Sequence, residues 1–344
     1  MPSPTSIPLR AADWTRKLPD AVASVSWSPA SDEFVVAGVD GRLWIVGANG
    51  SDERGLPGHE GGTFRAAWHP RRPLVASAGQ DGTVRFWDPR DGKPAGDFAA
   101  GAAWVEQLVW SPSGDWLAAG AGRILTLWHA DRGVAGQFRD HRSTLSGLAW
   151  RPDGLRLAAA CYGGVHLYDV AQSAPAGLLP WKTSVISVSW SPDDRWVVGG
   201  TQDNAVQIWE QPYRPGEELA MSGYESKVRE LAWHRSGRTL ATGGGTSIMV
   251  WDCSGKGPGG TTPRILEGHE GRVTVLAYQR TGHLLASGGE DGRVLFWNAG
   301  KSSQALRQVH VGAPVTDLAW SPDDQTVAVG CHDGTVALVR PPAM

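Results

Sequence analysis

Cysteine is scarce: of 344 residues only Cys161, Cys253 and Cys331 are cysteine. Three scattered thiols give no disulfide framework and fit a reducing compartment. An excess of either charge is missing too. Lys and Arg number 32 against 35 Asp and Glu, a net of −3, so there is no basic field for nucleic acid and no acidic tail. No apolar run is long enough to span a bilayer, and Met1 to Arg10 has no apolar core of the kind a secretory signal needs. Helical apolar stripes are absent as well. The apolar runs are short and bounded by Gly, Pro, Asp or Ser, which reads as strands. There is no phosphate-cradling glycine loop ahead of a helix, no nucleophile elbow and no His-Glu-x-x-His. These absences point to a soluble cytoplasmic all-β protein, expected to be monomeric, with no cofactor, no catalytic residues and no nucleic-acid or membrane partner.

What is abundant is glycine (45) and proline (23), and both fall at recurring turns rather than in low-complexity tracts. One stretch, Leu56 to Asp88, shows the pattern. Gly58-His59 turns the chain, Phe64 to Trp68 makes a strand, and Pro70 ends it. Leu74 to Ala78 makes a second strand, Asp81-Gly82 is a two-residue hairpin signal, and Thr83 to Trp87 returns as a third. Such a sheet has open edges and too little core to stand alone, so it should be one copy of several. Anchored on the residue that ends its first strand, the copies fall at Trp27, Trp68, Trp110, Trp150, Trp190, Trp233, Tyr278 and Trp320, spaced 40 to 45 residues apart.

A period near 42 with Gly-His early and Trp-Asp late resembles the WD-repeat family of β-propellers, and the resemblance covers nearly the whole chain. It implies an all-β fold with four antiparallel strands per blade. Eight repeats, from about residue 19 to 340, predict an eight-bladed ring in a single domain spanning 1–344. The chain stops directly after the third strand of the eighth repeat. Residues 6–18, with Trp14 close to a periodic apolar position, are therefore expected to add the strand that closes the ring.

The resemblance also sorts the polar residues. It implies a buried network of turn His, strand Ser, hairpin Asp and strand Trp, complete in two copies: His59, Ser77, Asp81, Trp87 and His269, Ser287, Asp291, Trp297. Ser, His and Asp invite a triad reading, but their regular place inside a repeat makes them structural. In the third and sixth copies Gly101 and Tyr224 replace the His and the hairpin Asp is missing, so those blades should hold by packing. Trp104 and Trp181 fall off the template, in connections that the family places around the mouth of a central channel. With Phe64, Arg65, Glu106, Lys182, Tyr224 and Arg229 they form the expected partner-binding surface, rich in the aromatic and Arg residues of interface hot spots. The expected function is a non-catalytic scaffold binding one or more proteins or peptides. The rival is a metal or small-ligand site near His310 and His332, with Cys331 and Asp333 on the same face.

Overall fold

The computed structural model describes residues 7–101 and 104–343; residue 6 of the expected N-terminal strand lies outside them. Among the described residues there are 31 strands and no helix. The second repeat shows why these residues fold as they do. Thr63–Trp68 alternates between buried and more open positions, whereas Val75–Gly79, of small residues, is buried throughout. Gly82 takes φ +75°, and the Asp81 carboxylate accepts the Thr83 N–H at 3.1 Å, which closes the hairpin.

Repetition of this unit gives antiparallel sheets set in a ring, with their first strands innermost. Four of the landmark tryptophans join neighbours. Indole N–H groups of Trp27, Trp110, Trp150 and Trp320 donate to the backbone carbonyls of Ala319, Ala67, Val109 and Ala277 on the preceding inner strand, at 2.9 to 3.2 Å. The core lies between adjacent sheets; one cluster packs Val294 and Phe296 of the seventh repeat against Val315, Val327 and Val329 of the eighth.

The eight-bladed expectation is corrected: the strands form seven sheets, not eight. Five have four strands, one has five and one has six. The six-stranded sheet takes in both the fourth and the fifth repeats. The fourth lacks the hairpin Asp, and in its place Gly163 and Gly164 (φ +94° and +134°) make a bulge inside one continuous strand, Arg156–Asp169. The next repeat has no Gly-His turn, so Ala174–Trp190 also runs unbroken. It pairs with Arg156–Asp169 on one side and Trp196–Thr201 on the other.

The N-terminal expectation is corrected in part: Trp14–Lys17 supplies the fourth strand of the last sheet, but residues 7–18 do not form one strand. Leu9–Ala11 pairs parallel with Ala305–His310 and makes the fifth strand of the seventh-repeat sheet. Trp14–Lys17 pairs antiparallel with Thr335–Val339 in the next sheet. Asp13 holds the break between them: it accepts the Arg340 N–H at 2.7 Å and lies 3.5 Å from the Arg307 guanidinium.

Candidate functional site at the channel mouth

Period-two alternation turns every other residue of the inner strands toward the axis. They line a channel cavity of about 540 Å³, with Ser24, Arg65, Gln107, Ser187, Glu230 and Asp317 among its walls. The Asp317 carboxylate accepts the N–H groups of Val25 (2.9 Å) and Leu318 (3.0 Å). Burial pushes its pKa up, opposed by the Arg65 charge. Burial also raises Glu230, whose carboxylate is 3.6 Å from Arg272.

Above the channel a second cavity of about 420 Å³ opens to solvent. It is lined by Phe64, Arg65, Glu106, Gln107, Ser146 and Arg229, among others. Four of the eight residues expected at the surface therefore meet here: Phe64, Arg65, Glu106 and Arg229. Among the described residues neither guanidinium has an ion-pair partner within 4.0 Å. Trp104 extends the rim. The residue is 54% exposed, its ring stands 5.9 Å from that of Phe64, centroid to centroid, and its φ of +61° is uncommon for a bulky residue.

The other sites lie elsewhere. Trp181 is half-buried against its own sheet, with its N–H 3.5 Å from Asp203, and Lys182 lies 5.5 Å over its ring. Tyr224 is corrected from surface to core: it is 7% exposed, and its hydroxyl meets Thr242 Oγ1 at 2.8 Å and the Trp251 N–H at 2.9 Å. A tyrosine hydroxyl thus does in the sixth repeat what the turn His does elsewhere, and packing alone does not hold that sheet. The channel residues Gln107, Asp317 and Glu230 were missed by sequence reasoning, which followed the connections. Their signal was their place three residues before a landmark Trp.

His59 Nδ1 lies 2.9 Å from Asp81 and Nε2 lies 2.7 Å from Ser77 Oγ, which also accepts the Trp87 N–H at 2.8 Å. His269 meets Asp291 at 3.1 Å and Ser287 at 2.8 Å, and the Trp297 N–H completes that set at 2.9 Å. Both serine hydroxyls are fully buried and committed to these bonds. In the fourth repeat His141 uses the Arg123 carbonyl (2.9 Å) in place of the missing Asp and the Tyr168 hydroxyl (2.7 Å) in place of Ser. Burial holds the His59 pKa below its ordinary 6.5. Burial alone would raise the Asp291 carboxyl, but its contacts with His269 and the N–H groups of Glu270 and Arg293 outweigh that and hold it at about 2.

These shifts fix the sign of the acid response. A depressed carboxyl stabilises the fold above its unfolded pKa, and that contribution is lost as pH falls from 3.8 toward 2. Asp291 should account for roughly 2 kcal/mol of this loss. Neutral buried His59 adds a loss in the same direction as pH drops below 6.5, where the unfolded chain takes up a proton. Urea midpoints measured between pH 5 and pH 2 should fall steeply, and Asp291→Asn should flatten the slope below pH 4. An unchanged slope in the variant would remove Asp291 from the account.

The rival metal site is not assembled. Cys331 is buried in the core, where burial pushes its thiol to about 12, while His310 and His332 are exposed and Asp333 pairs with Lys17. Among the described residues no group of three or more His, Cys, Asp or Glu could hold an ion.

The fold and its repeated network define a WD-repeat propeller. The family model "WD domain, G-beta repeat" matches six stretches, 50–88, 92–129, 178–210, 217–252, 260–298 and 302–339, more than half of the chain. The protein belongs to that family. It is similar to protein transport protein sec13 of Aspergillus clavatus, at 27% identity over 62% of this chain and 72% of that one. It is also similar to nuclear distribution protein PAC1-2 of Uncinocarpus reesii, at 24% identity over 53% of this chain and 36% of that one. With small ribosomal subunit protein RACK1 of Medicago sativa the identity is 26%, over 45% and 41% of the two chains. The chain thus spans well under half the length of the last two relatives. The crystal structure of the computationally designed Ika8 protein shares the fold, with a TM-score of 0.81 at 20% identity, covering 98% of this chain and all of the other.

Proposed function

We infer that the protein is a non-catalytic interaction scaffold that takes a protein or peptide partner at the channel mouth. One observation carries this reading: Phe64, Arg65, Glu106 and Arg229, from the second, third and sixth repeats, face one open cavity, and Trp104 stands exposed beside it. A rim with an aromatic anchor and guanidinium groups that have no ion-pair partner among the described residues is preorganised for binding, so little ordering cost falls on the scaffold side. The name of one relative, actin-interacting protein 1 of Drosophila melanogaster, points the same way. Three buried free thiols support a cytoplasmic location.

The test is partner capture, followed by titration of the partner so identified. Trp104→Ala, or Arg65→Ala with Arg229→Ala, should weaken binding by about thirty-fold, the effect of losing a true anchor. The melting temperature of Trp104→Ala should stay nearly unchanged, since Trp104 is mostly exposed. Full binding by both variants would place the partner on another face.

A further inference from the structure

A second locus lies where the sixth and seventh repeats meet, away from the channel mouth. His234 directly follows the landmark Trp233, and His283 sits in the turn after Tyr278. Their rings are within 12° of parallel, and His234 Nε2 lies 3.1 Å from His283 Nδ1. The Ser236 N–H donates to His234 Nδ1 at 3.2 Å, so Nε2 carries the hydrogen and His283 Nδ1 accepts it. Both imidazoles are then neutral, the form that binds metal.

We propose that His234 and His283 together chelate one divalent transition ion, clamping the sixth repeat to the seventh. Two nitrogens each about 2.0–2.1 Å from a single ion stand about 2.9 Å apart at a right angle and about 3.4 Å apart at the tetrahedral angle. The observed 3.1 Å falls between these limits, and chelation requires each ring to turn its lone pair off the line that joins the two nitrogens. The hydrogen on His234 moves from Nε2 to Nδ1, which gives up the Ser236 N–H and donates to Ser236 Oγ at 2.8 Å, and no proton is lost overall. His283 is exposed and His234 half-buried, which leaves the remaining coordination positions to water. Tyr278 packs edge-on to His234, 5.4 Å between centroids, and fixes the ring. The Arg235 charge is felt at His234 and opposes a cation, which favours ions with strong imidazole affinity, zinc or copper over magnesium. The landmark here is Tyr278, whose buried hydroxyl has no partner; the indoles of Trp68, Trp190 and Trp233 likewise lack the cross-sheet bond, and here the imidazole pair spans the junction.

Equilibrium dialysis of the full chain against ZnCl2 tests this. One zinc per chain is expected, with a melting temperature that rises in excess zinc because the ion binds the folded state. His283→Ala and His234→Ala, each shown to fold by its metal-free melt, should weaken binding by more than the roughly 10–100-fold carried by outer-shell partners. His310→Ala with His332→Ala should bind as the parent does. Absence of stoichiometric zinc in the folded parent, unchanged binding by His283→Ala, or loss in the His310/His332 variant would each overturn the assignment. None of these outcomes bears on partner capture at the channel mouth.

Discussion

Trp297→Ala should cost about 3–5 kcal/mol of folding stability, the range for truncating a buried tryptophan. The ring is wholly buried and packs with Ile248, Leu266, Val273 and Leu285 between the sixth and seventh repeats. Its removal leaves a cavity that two adjacent sheets must share, and neither can collapse without moving its inner strand. It also takes away the donor that Ser287 accepts at 2.9 Å. Trp297→Phe separates the two effects, because most of the volume stays while the N–H is lost. That variant should cost about 1–3 kcal/mol, the range for a buried polar group left short of a partner. Urea midpoints at a common slope would report both values. Equal losses in the two variants would assign the whole effect to the hydrogen bond and none to packing.

How far such contacts could be foreseen depends on how often the sequence repeats them. The landmark tryptophans and the two His-Ser-Asp-Trp sets recur at a constant offset, and recurrence turns a weak local signal into a strong one. Deviations were harder to read. Loss of the hairpin Asp at Tyr162-Gly163-Gly164 is as compatible with a loop as with a bulge. The unbroken run of Ala174–Trp190, paired with Arg156–Asp169 as far as Tyr162–Ser184 and then with Trp196–Thr201, shows that two repeats share one sheet. Residues 6–18 looked like one strand because Trp14 sits near a periodic position. The break at Asp13 depends on Arg340 and Arg307, more than 290 positions away. Tyr224 was placed by counting to the turn-His position and judged as surface. How far a phenol reaches into a sheet is a matter of three-dimensional depth that spacing does not encode. At the channel mouth, Phe64, Arg65, Glu106 and Arg229 came together because they were chosen from equivalent connections. Trp181 came from the same kind of connection, but its ring turned down onto Asp203.

Gly58→Ala tests why the Gly-His turn needs glycine at all, and it should be among the most damaging small substitutions in the chain. Gly58 takes φ +66°, which costs an L-residue about 1–2 kcal/mol. The added Cβ would lie 1.8 Å from the Gly41 carbonyl oxygen, and backbone, unlike a side-chain tip, has nowhere to swing. That carbonyl accepts the His59 N–H at 2.8 Å and the Thr63 hydroxyl at 2.6 Å, so moving it loosens the second repeat from the first. Strain and overpacking together should cost roughly 2–5 kcal/mol. Gly268, in the corresponding turn, has no positive φ, and its added Cβ would meet side chains: Leu295 at 2.8 Å and Trp297 at 2.9 Å. Those atoms can shift, so Gly268→Ala should cost less. Gly55, with nothing within 4 Å, should tolerate alanine within about 0.5 kcal/mol. The expected order of urea midpoints, lowest first, is Gly58→Ala, Gly268→Ala, Gly55→Ala. A Gly58→Ala protein as stable as Gly55→Ala would show that the Asp40–Arg42 hairpin yields freely and that the turn is not a fixed contact between the first two repeats.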